Sequence, residues 1–345
     1  MAPRTSFIVT GVCGRGVGLQ IAKSLQLSRL DKWIIGTDLV SQGADSAPID
    51  EFAILPPADS PEYIPSLLQL IKRTGASFLI PCTEQELRTL TAIRHAEFAV
   101  LNCQLIWQNP TLFRRLDDKY LAANELRSLG IPSPKTVLID DMIQLTSLKF
   151  PMLLKPRLGR GSEGIEFVRN LEELGAVVTL IKSRKLQADY ICQEYVDLAD
   201  GEFTAGILHL PNGNYFGSTI LRREISSSLS RKLFVPDVER SSNIIVSSGT
   251  SQGVFIDNLI LETELARIST LLGSRGPLNI QFRMRDNKIS VFEINPRLSG
   301  SSFLRALAGH NEIEVLTRFY LNLPLPEWKG VGGKIAVREI SETVS

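Results

Sequence analysis

The chain has 345 residues, which predicts two or three domains at about 150 residues each. Apolar residues make up 43% and charged residues 22% of the sequence, as is typical of globular proteins. The formal net charge of +1 provides no overall basic field, so we expect no nucleic-acid partner. The four cysteines and three histidines are too scattered for a zinc site. With no run of about 18 apolar residues and no signal-peptide pattern, we expect no membrane span and a cytoplasmic enzyme.

The first third of the sequence alternates between strand and helix patterns. Short apolar runs at 6–10, 33–38 and 77–81 predict buried strands, and helical spacing covers 17–27 and 63–74. Such β-α-β alternation indicates a parallel sheet flanked by helices. We expect this N-terminal α/β domain to span residues 1–110.

Strand patterns dominate the rest of the chain, which indicates an α+β arrangement. A helix over 117–129 should end at Gly130, where glycine followed by proline is a stop signal. Further helices are predicted at 171–183 and 257–272. Strands are predicted at 152–155, 164–168, 190–194, 279–284 and 289–294, with antiparallel strands across 203–246.

A glycine cluster follows the first predicted strand. Gly11, Gly14, Gly16 and Gly18 precede a helix, and Asp38 ends the next strand, which approximates the dinucleotide-binding fingerprint. Glycines at a tight βα turn also serve packing alone. This cluster therefore leaves three hypotheses: a substrate-binding turn, a purely structural turn, or a dinucleotide-dependent oxidoreductase.

A second glycine cluster at 159–164 follows Lys155. Mobile backbone amides in such a loop can cover phosphates while the lysine ammonium neutralises their charge. No Gly-Lys-Ser/Thr closes the loop, so it is not a P-loop. The alternative is an ordinary surface hairpin with a solvated lysine.

The strand that ends at Gln193 and Glu194 leads into a linker that includes Tyr195 and Val196. Backbone groups of such a linker can bind an adenine edge, and a later carboxylate, Glu202, can accept ribose hydroxyls. The alternative for Glu194 is a solvated charge at a strand end.

Oxygen-bearing side chains lie on the last two predicted strands. Glu293 and Asn295 are two residues apart and therefore share a strand face, and Gln281 lies on the preceding strand. Such hard oxygen donors suit Mg²⁺ that bridges nucleotide phosphates. Arg297, just beyond, supplies a planar cation for phosphate or carboxylate oxygens. The alternative is a salt-bridged strand end.

Together these motifs resemble those of the ATP-grasp superfamily, above all in the run Phe-Glu-Ile-Asn-Pro-Arg-Leu-Ser-Gly-Ser-Ser at 292–302. The sequence looks most like the ATP-binding halves of carbamoyl phosphate synthetase large subunits and related stand-alone ligases. The resemblance implies an N-terminal pre-ATP-grasp domain followed by a two-lobed ATP-grasp fold. The small lobe with its glycine-rich lid would span 111–192 and the large lobe 193–345.

The resemblance also implies a role for each motif residue. Lys119 and Lys155 would contact ATP phosphates, and Gly159, Gly161, Ser162 and Gly164 would form the lid. Glu194, Tyr195 and Val196 would bind adenine, and Glu202 the ribose. Gln281, Glu293 and Asn295 would hold Mg²⁺, with Gln281 also near the nucleotide, and Arg297 and Lys155 would act in catalysis.

The implied activity is an ATP- and Mg²⁺-dependent ligase that joins a small-molecule carboxylate to an amine, and a homodimer is consistent with the resemblance. Arg223, Lys232 and Ser301 are hypothetical substrate contacts, and the two cations could instead belong to a solvated basic face. Alternatives are a carbamoyl phosphate synthetase-like phosphoryl-transfer enzyme and a nucleotide-binding protein with a degenerate site. Because the sequence contains one such unit and no glutaminase, we do not expect bicarbonate as substrate.

Overall fold

The computed structural model describes residues 4–14, 16–93, 96–159, 163–186, 189–226, 228–237 and 242–339. Within these ranges, no helix is both long and apolar enough to cross a membrane.

A five-stranded parallel sheet forms the N-terminal part of the chain. Its elements are β1 (Thr5–Thr10), α1 (Val17–Leu27), β2 (Lys32–Asp38), a 3-10 turn (Ala44–Ser46), β3 (Glu51–Ile54), α2 (Tyr63–Thr74), β4 (Phe78–Ile80), α3 (Glu84–Ala92), α4 (Ala96–Val100), β5 (Gln104–Leu105) and α5 (Pro110–Leu116). The strand order is β3-β2-β1-β4-β5, and every neighbouring pair is parallel. The parallel α/β architecture predicted for this region is confirmed.

A four-stranded antiparallel sheet follows. The elements of this part of the chain are α6 (Lys119–Ser128), β6 (Thr136–Leu138), α7 (Met142–Leu145), β7 (Met152–Pro156), β8 (Glu166–Val168), α8 (Leu171–Ser183) and β9 (Tyr190–Glu194). The strand order is β6-β9-β7-β8. Leu174, Val178 and Ile181 recur at helical spacing along α8 and pack against Met152 and Leu154 of β7 in one buried cluster.

The C-terminal part contains a six-stranded antiparallel sheet. Its elements are β10 (Glu202–His209), β11 (Tyr215–Arg223), β12 (Arg231–Asp237), β13 (Ser242–Ser247), β14 (Gly253–Ile256), α9 (Leu259–Leu271), β15 (Pro277–Arg285), β16 (Lys288–Asn295), α10 (Ser302–Ala308), α11 (Glu312–Tyr320) and β17 (Ile335–Ala336). The large sheet has the order β16-β15-β10-β11-β14-β17, and β12 and β13 pair separately as a hairpin.

The N-terminal sheet shares a core with the C-terminal helices. Ile313 and Leu316 of α11 belong to the same buried cluster as Phe7, Val9 and Ile34. This apolar contact joins the first and last parts of the chain and sets where the N-terminal sheet lies relative to the large sheet.

The first glycine cluster has a packing reason. A Cβ atom on Gly18, in the first turn of α1, would lie 2.0 Å from the backbone oxygen of Thr10 and 2.3 Å from that of Gly11. Asp38 accepts hydrogen bonds from the backbone amides of Cys13 (2.8 Å) and Leu39 (2.8 Å). These contacts support the structural-turn hypothesis, because the glycine and the carboxylate both serve the turn itself.

We therefore predict that Gly18→Ala destabilises the protein by about 3 kcal/mol or more, because backbone oxygens cannot move away from the added methyl group. The matched control is Gly175→Ala in α8, where an added Cβ meets nothing within 4 Å. That change should stabilise the helix by about 1 kcal/mol. Urea unfolding of both variants measures the two free energies, and equal effects would contradict the packing argument.

Candidate active site

A deep cleft lies where the small sheet faces the large sheet. It encloses about 1190 Å³ of non-protein space, its open mouth included. The site residues predicted from sequence that line it are Lys119, Lys155, Gly159, Glu194, Tyr195, Val196, Glu202, Gln281, Glu293, Asn295, Arg297 and Ser301. The cleft therefore brings together residues that the sequence predicted for the nucleotide, the metal and the substrate.

Lys155 is a buried cation in the cleft wall. It is 5% exposed, and its Nζ donates a 2.7 Å hydrogen bond to Gln193 Oε1 on the adjacent strand β9. Burial lowers the pKa of Lys155 from 10.5 to about 8. The negative charge of Glu293 opposes this change, whereas the positive charges of Lys119 and Arg283 lower the pKa further. An ammonium has three donors, so it retains capacity to bind an anion here.

Lys119 is positioned by the start of α6. Asp118 caps this helix by accepting from the Tyr120 amide at 2.8 Å, and the same carboxylate pairs with Arg157 at 2.6 Å. Lys119 Nζ then donates to the backbone oxygen of Gly159 at 3.0 Å. The helix cap thus holds this lysine against the first residue of the glycine loop.

The structure describes only part of the predicted lid. Gly159 lines the cleft, whereas Gly161 and Ser162 lie outside the described residues. Gly164 has a φ of +67°, and a Cβ there would lie 2.9 Å from the Tyr190 hydroxyl. Gly164 is not among the cleft-lining residues, and its conformation and close packing account for glycine at this position.

The linker after β9 presents backbone groups to the cleft. Glu194 Oε1 accepts from the Lys149 amide at 2.9 Å, so its carboxylate is held by the backbone of the small lobe. Tyr195 accepts from the Ile245 amide through its hydroxyl at 2.9 Å, which ties the linker to β13. Among the described residues, the Val196 amide hydrogen has no acceptor. The Glu194 carboxylate is therefore already bound, whereas the backbone of the linker still has a free donor. If adenine binds here, we expect it to contact the backbone of the linker and not the Glu194 side chain.

Glu202 is a fully buried carboxylate at the start of β10. Its Oε1 accepts from Arg223 at 2.7 Å and its Oε2 from Arg283 at 2.8 Å. Burial alone would raise the pKa of Glu202, but Arg283 and Arg223 outweigh it, and the pKa is lowered. The carboxylate borders the cleft and is at the same time the anchor for two arginines.

Arg223 differs from the sequence expectation of a substrate contact. It is 6% exposed, and its Nη2 donates to the backbone oxygens of Ser248 and Thr250 at 2.8 and 2.9 Å. Arg223 lies at the end of β11 facing Glu202, and its Nη1 and Nη2 groups both donate to acceptors inside the protein. Arg223 is absent from the cleft lining, so its position gives no support to a substrate contact.

Lys232 is also absent from the cleft lining. It lies exposed on β12, in the separate hairpin, whereas it is β13 that borders the cleft through Ile245, Val246 and Ser247. The position of the hairpin therefore gives no support to a substrate contact by Lys232.

Arg283 is the main site residue that sequence reasoning missed. It lies on β15 with its guanidinium 4.9 Å from the Tyr195 ring centre, and it donates to the backbone oxygens of Val196 and Ile245. One available signal was its position two residues after Gln281, on the same strand face. Its partner, Glu202, lies on the neighbouring strand, which the sequence alone does not reveal.

The predicted metal ligands come together as expected for paired strands. Gln281 of β15 lies opposite Glu293 of β16, and Asn295 Nδ2 donates to Glu293 Oε1 at 3.0 Å. No group of three or more His, Cys, Asp or Glu side chains suited to a metal occurs within the described ranges. One carboxylate with two amide oxygens fits Mg²⁺ that is also held by phosphates and water, and does not suit a metal bound by protein alone.

Arg297 faces the cleft and reaches the N-terminal domain. Its Nε donates to Glu84 Oε1 at 3.0 Å, and its Nη2 contacts the same oxygen. Glu84 is the first residue of α3, which is 213 positions away in sequence. Both side chains are largely buried, so the N-terminal domain contributes directly to the orientation of this arginine.

Comparison with known proteins finds one matching family and several similar folds. A family described as "ATP-grasp in the biosynthetic pathway with Ter operon" matches residues 237–343. The fold is similar to that of N5-carboxyaminoimidazole ribonucleotide synthetase from Thermotoga maritima, with a TM-score of 0.62, 17% identity, and 95% of this chain and 78% of that chain covered. The N5-carboxyaminoimidazole synthetase from Staphylococcus aureus, solved with ADP, has a TM-score of 0.63 and 15% identity, with 93% of this chain and 78% of that chain covered.

The biotin carboxylase domain of the Hydrogenobacter thermophilus 2-oxoglutarate carboxylase is also similar. Its TM-score is 0.66 at 13% identity, with 94% of this chain and 71% of that chain covered, and it was solved with MgADP, ADP and bicarbonate. The match over residues 237–343 and the shared fold both agree with the resemblance to the ATP-grasp superfamily that the sequence shows. The two-lobed architecture expected from the sequence is thereby confirmed.

The buried ammonium of Lys155 yields a prediction about stability. Between pH 8 and 10.5 the unfolded chain holds this proton and the folded chain does not, so the group's destabilising effect decreases as pH rises through this window. Lys155→Met should therefore raise the unfolding free energy of the metal- and nucleotide-free protein by about 1–2 kcal/mol at pH 7, with the gain shrinking towards pH 10.

Urea unfolding at pH 7, 8, 9 and 10 measures this difference. The matched control, Lys72→Met on the exposed surface of α2, should show no such pH dependence. A difference between wild type and Lys155→Met that stays constant from pH 7 to 10 would contradict the lowered pKa.

Proposed function

We propose that this chain is an ATP- and Mg²⁺-dependent ligase that activates a carboxylate as an acylphosphate and joins it to an amine, with release of ADP and phosphate. The observation that carries the proposal is the convergence in one cleft of Lys119, Lys155 and Arg297 with the oxygen donors of Glu293 and Asn295. Cations and hard oxygen ligands arranged around one space suit a polyphosphate and its divalent metal.

The nucleotide would lie along the wall formed by β7, β9 and the linker. The free Val196 amide would donate to the adenine ring, and Lys155 and Lys119 would neutralise the phosphates. The ribose would lie near Glu202, whose oxygens already accept from two arginines. Both lysines line the cleft, and Lys119 also contacts Gly159 at the beginning of the proposed lid.

Gln281, Glu293 and Asn295 would hold the metal through side-chain oxygens. A Mg²⁺ ion held there would supply positive charge that offsets the charge of the phosphates. The hydrogen bond from Asn295 Nδ2 to Glu293 Oε1 orients the amide, so that Asn295 Oδ1 remains free to bind a cation.

The chemistry then requires positioning and charge neutralisation from the protein. An oxygen of the substrate carboxylate attacks the γ-phosphorus of ATP, and the bond from that phosphorus to the bridging oxygen breaks to release ADP. An amine next attacks the acyl carbon, loses a proton, and displaces phosphate. Lys155 and Arg297 would stabilise the transferring phosphoryl group, and closure of the lid would keep water from the acylphosphate.

Bicarbonate is a second candidate for the activated acid, despite the expectation from sequence. The Hydrogenobacter thermophilus domain, which has this fold, was solved with bicarbonate as well as MgADP. Bicarbonate therefore belongs in any substrate screen of this chain.

The proposed function predicts phosphate release that depends on particular substrate pairs. Wild-type protein with MgATP should release ADP and phosphate when a suitable carboxylate or bicarbonate is supplied together with an amine. Glu293→Ala should reduce this rate at least about a hundredfold, because it removes the single carboxylate from the metal site. The control Glu172→Ala, an exposed acid in the first turn of α8, should keep wild-type activity.

ADP binding is measured in parallel by calorimetry. Tight ADP binding without turnover on any pair would favour a nucleotide-binding protein with a degenerate site. Absence of ADP binding together with tight NAD binding would favour the oxidoreductase alternative instead.

Because Glu84 of the N-terminal domain pairs with Arg297, we predict that Glu84 affects catalysis through the orientation of Arg297. Glu84→Gln keeps the size of the side chain but removes its charge, so Arg297 should be less well oriented. We expect kcat to fall about tenfold while ADP affinity stays within twofold of wild type.

A double-mutant cycle with Arg297→Lys tests the coupling between the two residues. If they act together, the double variant should be little slower than Arg297→Lys alone. Fully additive losses would show that Glu84 does not act through Arg297.

A further inference from the structure

The loop that follows β13 lines the cleft, and the proposed function gives it no role. Ser248, Gly249 and Ser251 of this loop belong to the cleft lining. Contacts within the protein fix its conformation, because the Ser248 amide donates to the backbone oxygen of Ser230 at 2.8 Å and the Thr250 amide donates to Ser248 Oγ at 3.1 Å. The amides of Gly249 and Ser251 have no acceptor among the described residues.

Arg223 holds the opposite side of this loop. Its Nη2 donates to the backbone oxygens of Ser248 and Thr250 at 2.8 and 2.9 Å. In a trans peptide unit, the C=O of one residue and the N–H of the next point in opposite directions. The amides of Gly249 and Ser251 therefore both point away from Arg223. Because Gly249 and Ser251 line the cleft and Arg223 does not, these two N–H groups open onto the cleft.

The two amides and one hydroxyl make a set of three donors. Successive backbone N–H groups that point to the same side are a common arrangement for binding an anion. The Ser251 hydroxyl has no partner among the described residues and also borders the cleft. Arg223 polarises both peptide units from behind, because hydrogen bonds in a chain strengthen one another.

A partly buried cation lies beside the loop. Arg338 Nε donates to the backbone oxygen of Ser251 at 3.3 Å, and Arg338 Nη2 donates to that of Gly300. This contact places Ser251 next to Gly300, three residues after Arg297. Within the described ranges no carboxylate pairs with Arg338, and burial together with the charge of Arg305 lowers the pKa of Arg338. An anion bound at the loop would offset this positive charge.

The chemistry of the donors limits which anionic group they suit. An anion that accepts several hydrogen bonds is stabilised in its charged form and becomes a poorer nucleophile. The carboxylate that attacks ATP needs a free lone pair. These donors therefore suit an anionic group that the reaction leaves unchanged.

We propose that the amides of Gly249 and Ser251, with the Ser251 hydroxyl, form a subsite for a second anionic group, a carboxylate or phosphate, carried by one of the two substrates. This assignment rests on the proposed function. It makes one substrate a compound with an anionic group in addition to its reacting group, as in an amino acid that reacts through its amine. Arg223 is a positioning residue here, since it acts on the ligand only through the two peptide units.

Backbone NMR observes both amide donors directly. Inorganic phosphate and, separately, acetate are titrated into protein labelled with ¹⁵N-glycine and ¹⁵N-serine. The protein is first saturated with Mg²⁺ and a non-hydrolysable ATP analogue, which fills the positions of the nucleotide's own phosphates. The amide protons of Gly249 and Ser251 should shift downfield and saturate with at least one anion, because they form charge-assisted hydrogen bonds. The amide of Gly213, which donates to the Leu210 oxygen away from the cleft lining, should not move.

A pair of variants at Ser251 separates the amide from the hydroxyl. Ser251→Pro removes both donors and should weaken binding of the anion about thirtyfold. The matched variant Ser251→Ala keeps the amide and should weaken binding only about fivefold. ADP affinity, measured by calorimetry, should stay within twofold of wild type in both variants.

Unchanged signals of Gly249 and Ser251 with both anions would overturn the subsite. Shifts that appear only in the absence of the ATP analogue would overturn it as well, because they would assign the donors to the nucleotide's phosphates. If Ser251→Pro does not fold, the titration of wild type still decides the question. Failure of the proposed function has a different signature, since the ATP analogue would then not bind at all.

Discussion

The buried carboxylate of Glu202 is the contact on which the geometry of the cleft depends. It holds Arg223 of β11 and Arg283 of β15, and these guanidiniums in turn donate to backbone oxygens of Ser248, Thr250, Val196 and Ile245. One negative charge therefore sets the position of the linker, the hairpin and the loop after it. Removing one member of such a network leaves a buried charge uncompensated, which costs several kcal/mol, on the order of 3–5.

The charges around the cleft explain why it suits an anionic ligand. Two cations that line the cleft have an anionic partner within the protein, Arg297 with Glu84 and Arg283 with Glu202. Among the described residues, Lys155 has only a neutral amide as hydrogen-bond partner, and neighbouring cations help to lower its pKa. A polyphosphate in the cleft would reverse that effect, because an anion close to an ammonium favours its charged form.

Much of the fold could be read from local sequence. Helices α1, α2 and α8 lie where the apolar periodicity predicted them, and β9 has the predicted bounds. The short strands β3, β5 and β17 were missed, because two to four residues are too few to show alternation. The glycine cluster after β1 was open to a dinucleotide interpretation, and only the backbone atoms close to Gly18 revealed its packing reason.

The sequence by itself determined which residues are candidates for the cleft, because Lys155, Glu293, Asn295 and Arg297 lie in short motifs whose spacing follows strand geometry. The tertiary structure alone decided what each of them faces. Glu84 meets Arg297 from 213 positions away, and Arg223 turns inward to Glu202 instead of outward to a substrate. Local periodicity specifies the face of an element on which a side chain lies. The partner across the core depends on how the sheets and helices pack, which no short stretch of sequence contains.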